Sequence, residues 1–415
     1  KICLDAGRMA RISTAYPGAS NYLKFGIPLL PSSDCWRSHY TLTMHLYAER
    51  TQIYFLTAKN EKGDQLYSLL LEKVTTDIDR HFVHMIMINS LELQQRYNDM
   101  MTLIGQCLRV YGIDIPSETE EMEKMRMEQV GLVNKNLNGR PIEALLDSPE
   151  MTNERDLIIM ELIQSFWVPS YVTGRSLLSS LMSILGTNYS IQKGNCQDSP
   201  IIYMSYSMFS GDLTGDYNHA YRFGNMALRL LDRYGSVITK ARCYLIFGTS
   251  ANNYGQHIGR SLYYFKKGWE YAIEGGDIAF SCYTSGRLVI NSFYANEHFS
   301  TVRKLFLEHA PYIRRINGFI YGYVQCLTLG YRYLAGIRDD DENIGFNEEQ
   351  FSQDDTSKLP MFQTLYSIGR LQRAIYRHDD VDLLPLAEFV HDVACVNLHG
   401  TFSAILGSFY SSIVF

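Results

Sequence analysis

Apolar residues recur at helical spacing along almost the whole chain, and no stretch alternates strictly between apolar and polar residues as a half-buried strand would. In residues 41–57, for example, Leu46 and Ile53 fall on one helical face and the charged residues lie off it. A break at 59–63 precedes a second helical stretch at about 64–74. The pattern therefore predicts two helices joined by a short turn at this point in the chain.

The same rhythm of helix, turn and helix returns further along, with turns marked by glycine, proline, asparagine or charged residues. An irregular break interrupts it at 139–149, where the chain reads Ser-Pro. Beyond the first pair, the pattern predicts helices at 81–95, 97–111, 119–138, 152–167, 172–186, 278–295, 298–310, 319–335, 361–377 and 381–396.

Residues 200–234 form the clearest unit, with two helices on either side of a turn at 211–216. The second helix carries small residues at Ala220, Gly224 and Ala227, the phase in which a tetratricopeptide repeat places its small residues. Units of this kind recur roughly every 35–45 residues. Because a single hairpin leaves an apolar face that only its neighbours can cover, we predict an all-α fold. More specifically, we expect an α-solenoid of tetratricopeptide-like hairpins wound into a right-handed superhelix.

Much of the excess acidic charge is concentrated in one part of the chain. The chain has 38 Lys and Arg against 44 Asp and Glu, a net charge of −6, but residues 339–357 alone hold eight acids and no base. The remainder has a balance of +2, so the overall charge gives little support for a polyanionic partner. We predict a helical-repeat array over 1–338, an acidic loop insert over 339–358 and further hairpins over 359–415, cut at the chain end.

Cysteine usage and hydropathy indicate the cellular compartment in which the protein acts. The chain shows no signal peptide pattern, and its cysteines stand singly, which is typical of reduced thiols in a cytoplasmic protein. Residues 393–415 lack charged residues, but Asn397, His399, Gly400 and four serines interrupt them. A buried helix pair therefore explains this stretch better than a membrane span. The eight cysteines are at positions 3, 35, 107, 196, 243, 282, 326 and 395.

No catalytic signature is present in the sequence. It lacks a P-loop, the three kinase motifs, a GxSxG elbow and an HExxH pair. His81 and His84 stand three apart beside Asp77 and Asp79, a spacing that could aim two imidazoles at a metal. A polar helix start explains them better, because the spacing provides no third ligand. We therefore predict no catalytic, cofactor-binding or metal-binding residues, and no cofactor.

Other charged clusters have simple structural explanations. We interpret 377–380 as an inter-helix turn and 118–128 as a solvated helix face. The acidic run at 339–357 could dock a basic partner, although a mobile loop is the usual explanation for such a segment. The basic doublets at 266–267 and 314–315 are too few to follow a phosphate backbone, so we predict no nucleic-acid partner.

Several phrases, taken in order, resemble a known family. They are GIPLLP with Trp36, YTLTMHLYAER at 40–50, GRPIEALLDSPEMTN at 139–153 and GDYNHAYRFGNMALRLLDRY at 215–234. They resemble the helical-repeat region that follows the ATPase module in very large signalling proteins of bacteria, fungi and some protists. Those proteins join a protein-kinase-like domain, a P-loop ATPase, this tetratricopeptide-like segment, often a GAF sensor, and a histidine kinase.

The resemblance covers roughly residues 1–300 and fades afterwards. At 248–259 the chain reads GTSANNYGQHIG, where the family usually carries a tryptophan and a proline, and the acidic run has no counterpart. No catalytic residue is carried over, because the catalytic motifs of the family lie outside this segment. The positions that match its packing pattern are predicted to be structural: Trp36, Tyr217, Ala220, Gly224 and Ala227.

The resemblance implies a regulatory segment without enzymatic activity of its own, which relays between or scaffolds the ATPase and kinase modules. Its partner would be another protein or neighbouring domains of the same chain. The alternative is a ligand-sensing domain, in which the aromatic-rich helices around 203–209 and 319–333 enclose a small molecule. A pocket of several hundred Å³ lined by those residues would favour the alternative.

Overall fold

The computed structural model describes residues 1–31, 34–316, 318–338, 345–353, 355–379, 382–398 and 401–415. Within these residues the fold is all-α, as predicted, and the only β-type pairing is an isolated bridge between Glu150 and Asn195. No helix in the described ranges is long and apolar enough to cross a membrane.

The chain folds into two compact units, one formed by 1–115 and 153–162 and the other by 116–152 and 163–415. The helices of the first unit are α1 Ile2–Ile12, α2 Tyr16–Gly26, α3 Cys35–Ser38, α4 Tyr40–Leu56, α5 Asn60–Lys73, α6 Asp77–Leu93 and α7 Tyr97–Val110. The helices that follow are α8 Thr119–Leu137, α9 Glu154–Val172, α10 Ser176–Lys193, α11 Ser199–Thr214, α12 Tyr217–Tyr234, α13 Val237–Thr249, α14 Ala251–Gly255, α15 Ser261–Glu274, α16 Ile278–Tyr294, α17 Phe299–Ile316, α18 Gly318–Thr328, α19 Glu348–Gln353, α20 Pro360–Arg377, α21 Leu384–Asn397 and α22 Phe402–Val414. α9 contributes 154–162 to the first unit and 163–172 to the second.

Hairpins build the first unit, which pairs α1 with α2, α4 with α5 and α6 with α7. The helices α4 and α5 meet at Gly63, where a Cβ atom would lie 2.4 Å from the Phe55 ring, so only glycine allows this approach. Glu49 is 3% exposed and accepts hydrogen bonds from Arg8 and Arg11, both at 2.8 Å, which ties α1 to α4. Buried apolar side chains from α4, α5 and α6 complete this core.

Stacked hairpins also build the second unit. α11 pairs with α12, α13 with α15, α16 with α17, α18 with α20 and α21 with α22, and consecutive pairs pack on one another. The small residues expected to pack closely are buried, since Ala220 and Ala227 are both fully covered on α12. Tyr217, expected to be structural, is 45% exposed. Its hydroxyl donates to Asp212 Oδ1 at 3.0 Å, so it forms the rim of the hairpin rather than its core.

Several predicted helix ends are wrong: α5 begins at Asn60, within the break predicted at 59–63, α10 spans Ser176–Lys193 rather than 172–186, and α17 continues to Ile316 rather than 310. The pattern places a turn between 167 and 172, but α9 continues through Pro169 to Val172. Pro169 lacks the N–H that would bond the carbonyl of residue 165, and the hydroxyl of the next residue, Ser170, donates to the carbonyl of Phe166 at 2.7 Å. The helix predicted to run to 335 ends at Thr328, and in the turns that follow a Cβ atom at Gly330 would lie 2.2 Å from the Gln372 side chain.

Part of the predicted acidic loop is helical. Residues 339–344 and Asp354 lie outside the described residues, but Glu348–Gln353 forms α19. Its Phe351 is 9% exposed and packs against Phe362 and Tyr366 of α20, with ring centroids at 6.3 and 5.4 Å. This apolar anchor explains why the segment departs from the loop expectation. The division of the chain at 338 and 359 stays a prediction.

Candidate functional site

The His81 and His84 pair faces two different partners. His81 Nε2 lies 2.7 Å from Glu161 Oε2, and His84 Nδ1 lies 2.8 Å from the Tyr67 hydroxyl. Asp79 accepts hydrogen bonds from the hydroxyls of Tyr40 and Thr76, both at 2.8 Å. No group of three or more potential ligands for a metal ion occurs in the part of the chain that the structure describes. The two imidazoles therefore contribute to packing and hydrogen bonding within the first unit.

Acid is expected to destabilise the first unit through His84. Burial, with smaller contributions from Arg80 and His81, lowers the pKa of His84 to about 4. In the unfolded chain the pKa of His84 is near 6.5, so the unfolded chain binds a proton at a higher pH than the folded chain. The stability that neutral His84 contributes is therefore complete above pH 6.5 and is lost as the pH falls toward 4. After allowance for solvent screening we expect a loss of about 1 kcal/mol between pH 7 and pH 5.

Urea unfolding at the two pH values tests this expectation. His84→Gln keeps a hydrogen-bonding group beside Tyr67 but removes the titration. The variant should lose about 1 kcal/mol less than the native chain between pH 7 and pH 5. Equal losses in the two proteins would show that His84 does not titrate in this way.

The other charged clusters have local partners. Lys267 pairs with Glu270 at 2.8 Å. Arg126 pairs with Glu123 at 2.5 Å, but its side chain is only 16% exposed and donates to Ser180 of α10, so it departs from the solvated face predicted for 118–128. The Arg377 guanidinium lies 5.2 Å from the centre of the Tyr333 ring at the end of α20. The remaining part of that turn, residue 380, lies outside the described residues. We find no convergence of these groups on a common point.

Glu348 is the acidic residue of the 339–357 run with the clearest environment. It accepts hydrogen bonds from Arg373 and, at 2.5 Å, from the Tyr366 hydroxyl. Burial would raise the pKa of this carboxyl, but the hydrogen bonds from Arg373 and Tyr366 outweigh it and hold the pKa below its ordinary value. Burial, together with the hydrogen bond to Glu348, raises the pKa of Tyr366 to about 12. This part of the acidic run is therefore fixed on α20 by an ion pair.

The aromatic residues around 203–209 serve as core. Tyr203 and Phe209 are fully buried, and the Tyr206 ring packs edge-on against Phe223 with centroids 4.8 Å apart. The Tyr203 hydroxyl donates to Asn195 Oδ1 at 3.2 Å, so its polar tip is also occupied. These three side chains leave no enclosed space between them for a ligand of the kind that the alternative hypothesis requires.

A cavity does lie beside them, in the second unit. Its volume is about 90 Å³, well below the roughly 300–1,000 Å³ of pockets for drug-sized ligands. Side chains from α9, α11, α13, α16, α18 and α20 form its walls, and several of those from α9 are only half-buried, so the cavity reaches the surface there. The walls are Trp167, Val168, Tyr171, Val172, Met208, Leu245, Ile246, Thr249, Phe280, Tyr283, Arg287, Tyr323 and Met361.

Aromatic rings dominate this cavity. Trp167 and Tyr171, one helical turn apart on α9, stack with centroids 5.6 Å apart and planes within 8°. Tyr283 and Tyr323 meet edge-on at 6.0 Å. Burial raises the pKa values of Tyr171 and Tyr323, so both phenols stay neutral at physiological pH. The indole Nε1 of Trp167 is buried without a hydrogen-bond partner.

Arg287 places a positive charge in this apolar setting. Its side chain is on α16 and the residue is only 5% exposed. Nη1 donates a long hydrogen bond of 3.4 Å to Ser403 Oγ, and the guanidinium lies 5.2 Å from the centre of the Tyr323 ring. Among the described residues, no carboxylate lies within ion-pair distance of Arg287. The cavity therefore combines a buried, always protonated guanidinium with aromatic walls.

The sequence contained one signal for this site that the search for motifs did not use. Arg287 interrupts a stretch of small and apolar residues, CYTSGRLVINSFY, on a helix that is otherwise almost entirely buried. Charged residues are rarely fully buried without a partner, so this arginine marks a position of interest. The periodicity alone could not show that five other helices converge on it.

Comparison with known proteins identifies a relative and a structural neighbour. No protein-family model matches the chain. It is 21% identical over 341 residues to a hybrid signal transduction histidine kinase G of Dictyostelium discoideum, which covers 76% of this chain. The match covers only 10% of that much longer relative. The solved structure of yeast Tom70 aligns with all of this chain and 95% of its own, at 15% identity and a TM-score of 0.24. The fold assignment therefore rests on the helices of this chain itself.

Proposed function

We propose that this chain is a non-catalytic interaction and regulatory segment of a larger signal-transduction protein. In this proposal it is a relay arm between ATPase and kinase modules and acts in the cytoplasm. The observation that carries the proposal is the similarity over 341 residues to part of a hybrid signal transduction histidine kinase. The hairpin architecture agrees with it, because stacked hairpins offer long surfaces for protein contact.

The side chains of the chain support a structural role over a catalytic one. The two histidines that most resembled a site are each held by a neighbouring side chain, Glu161 and Tyr67. The described cysteines carry free thiols, and five of them are buried, as is typical of a reducing compartment. The side chain of Cys395 lies outside the described residues.

An apolar stripe on α22 is the surface that we assign to contact with another module. Ile405, Phe409 and Ile413 recur at every fourth position and are 53%, 55% and 52% exposed. Side chains four apart lie on the same helical face, so the three form one continuous strip. Exposed apolar strips of this kind mark protein contacts. The proposed occupant is another module of the same signalling protein, since the relative is about ten times longer than the matched segment.

A charge on this stripe is expected to lower the affinity of the segment for the other module by at least about tenfold, because the contact would bury an ion without a partner. Ile405→Glu is the test variant, and Ile273→Glu on α15 is the matched control, since Ile273 is 50% exposed outside the stripe. Binding of this segment to the ATPase and kinase modules of its own parent chain is measured by calorimetry. Equal affinities of the two variants and the native segment would contradict the assignment of the stripe.

The non-catalytic part of the proposal has a separate test. The purified segment is incubated with γ-labelled ATP and a general phosphoacceptor. We expect neither phosphotransfer nor hydrolysis above that of a heat-denatured sample. Robust turnover by the segment alone would contradict the proposal.

The ligand-sensing alternative has one specific observation in its favour, the cavity around Arg287. That cavity is smaller than the sequence hypothesis required and has different walls, since only Met208 and Tyr323 come from the two predicted stretches. A sensing role would add to the regulatory segment proposed above rather than replace it.

A further inference from the structure

Arg287 carries a charge that no carboxylate among the described residues neutralises. Removing a guanidinium from water is costly unless the charge is paired and its N–H groups are bonded. Here the guanidinium donates a long hydrogen bond to Ser403 Oγ and lies against Tyr323, to which it is also hydrogen-bonded. By contrast, Arg222 of the same unit has a carboxylate partner, Glu143, at 2.7 Å.

The cavity contains a second donor that lacks an acceptor. The indole N–H of Trp167 is buried and unbonded, and Trp167 is a wall of the same cavity. Buried donors are nearly always bonded, so an exception calls for an explanation. A ligand with acceptor oxygens and a negative charge would suit both the Arg287 guanidinium and the indole N–H of Trp167, which lines the same cavity.

The volume limits the size of that ligand. About 90 Å³ is less than the roughly 150 Å³ of an engineered apolar cavity that takes up benzene. This cavity volume suits a carboxylate that carries a short apolar chain of a few carbons. The half-buried Trp167 and Tyr171 leave the cavity open on the α9 side, so such a molecule could enter without unfolding the unit.

We propose that this cavity binds a small organic monocarboxylate. The carboxylate pairs with the Arg287 guanidinium, which matches its two oxygens in a fork geometry. The short apolar body packs between the Trp167–Tyr171 stack and Phe280. This inference concerns a ligand of the second unit and does not depend on the contact proposed for α22.

Butyrate and its neutral isostere butyramide are suitable probes, because they have the same shape and differ in charge. Binding is followed by NMR titration of the full chain, with the Trp167 indole N–H as a reporter. We expect butyrate to bind at least about tenfold more tightly than butyramide, and to raise the melting temperature of the native chain. Equal binding of the two probes, or no binding of butyrate, would overturn the proposal.

Arg287→Met removes the charge and keeps the length of the side chain. Without ligand we expect its melting temperature to equal or exceed that of the native chain, since an unpaired buried charge is lost. Its preference for butyrate over butyramide should disappear. A fall of several degrees without ligand, together with an unchanged preference, would show that Arg287 is only a structural residue. Arg222→Met, which removes an arginine that already has a carboxylate partner, should leave the preference intact.

A second variant keeps the proposal testable if Arg287→Met does not fold. Val168→Phe fills the cavity from its half-buried α9 side and leaves Arg287 in place. It should weaken butyrate binding at least about tenfold. Unchanged affinity would overturn the location of the site. Binding of an oligoglutamate peptide but not of butyrate would overturn the small-molecule assignment in favour of a protein ligand.

Discussion

Replacing Gly224 by leucine is expected to destabilise the second unit by about 1–3 kcal/mol, because a side chain would overpack a closed contact. A Cβ atom at Gly224 would lie 2.8 Å from the Cβ of Ala251 and 3.1 Å from the Phe247 ring. Both neighbours are fully buried, so neither can move aside without disturbing its own contacts. Leucine adds three further carbons at a point where even one is too close.

Urea unfolding of the full chain measures this effect. Gly131→Ala is the matched control, since Gly131 also lies within a helix, α8, and a Cβ atom there would meet nothing within 4 Å. The control should be stabilised by about 0.5–1 kcal/mol, because alanine favours the helix over glycine. A Gly224→Leu chain as stable as the native protein would show that the packing around α12 differs from this description.

The contact at Gly224 also corrects an expectation. The repeat spacing placed this glycine inside the hairpin of α11 and α12. In the structure it faces α13 and α14 of the following hairpin, while Gly211 provides the close approach within the hairpin, where a Cβ atom would lie 2.6 Å from the Tyr217 ring. Helical spacing identifies small residues that allow close packing, but it does not show which neighbour approaches them.

Asn195→Ala should cost about 2–3 kcal/mol, because it leaves buried polar groups without partners. Asn195 is fully buried and its Nδ2 donates to the carbonyl of Leu145 at 2.7 Å, while its Oδ1 accepts from Tyr203 at 3.2 Å. Its backbone exchanges hydrogen bonds of 2.8 Å with Pro149 and Met151. One residue thus fastens the irregular 139–153 segment to the start of α11.

Thermal and urea unfolding provide the measurement, with Asn136→Ala as the control. Asn136 is only partly buried and donates one hydrogen bond of 2.9 Å to Asn188 Oδ1, so its loss should cost less than about 1 kcal/mol. If the two variants lost equal stability, Asn195 would have no special part in holding the segment.

Most helices could be predicted from the sequence because each buries one apolar face, and that face repeats every three to four residues. The errors occur where tertiary contacts override local signals. Pro169 should end a helix, yet α9 continues through it. α18 ends at Thr328 rather than 335, and Gln372 of α20 packs against Gly330 just beyond that end.

The candidate site could not be predicted for a related reason. Its walls come from six helices whose residues span positions 167 to 361, and no spacing rule brings these together. The aromatic density around 203–209 indicated core rather than site. Arg287 was visible as a lone charge on an apolar helix, but its lack of a partner emerges only when its surroundings are known.

Hydrogen exchange at the amides of α22 tests the central claim most directly, since the claim is that this segment works through contact with other modules of a signalling protein. The exchange rates are compared between the segment alone and the full-length protein that contains it. We predict that the amides around Ile405, Phe409 and Ile413 exchange at least about tenfold more slowly in the full-length protein, because a neighbouring module covers the stripe. Equal rates in the two proteins would contradict the account.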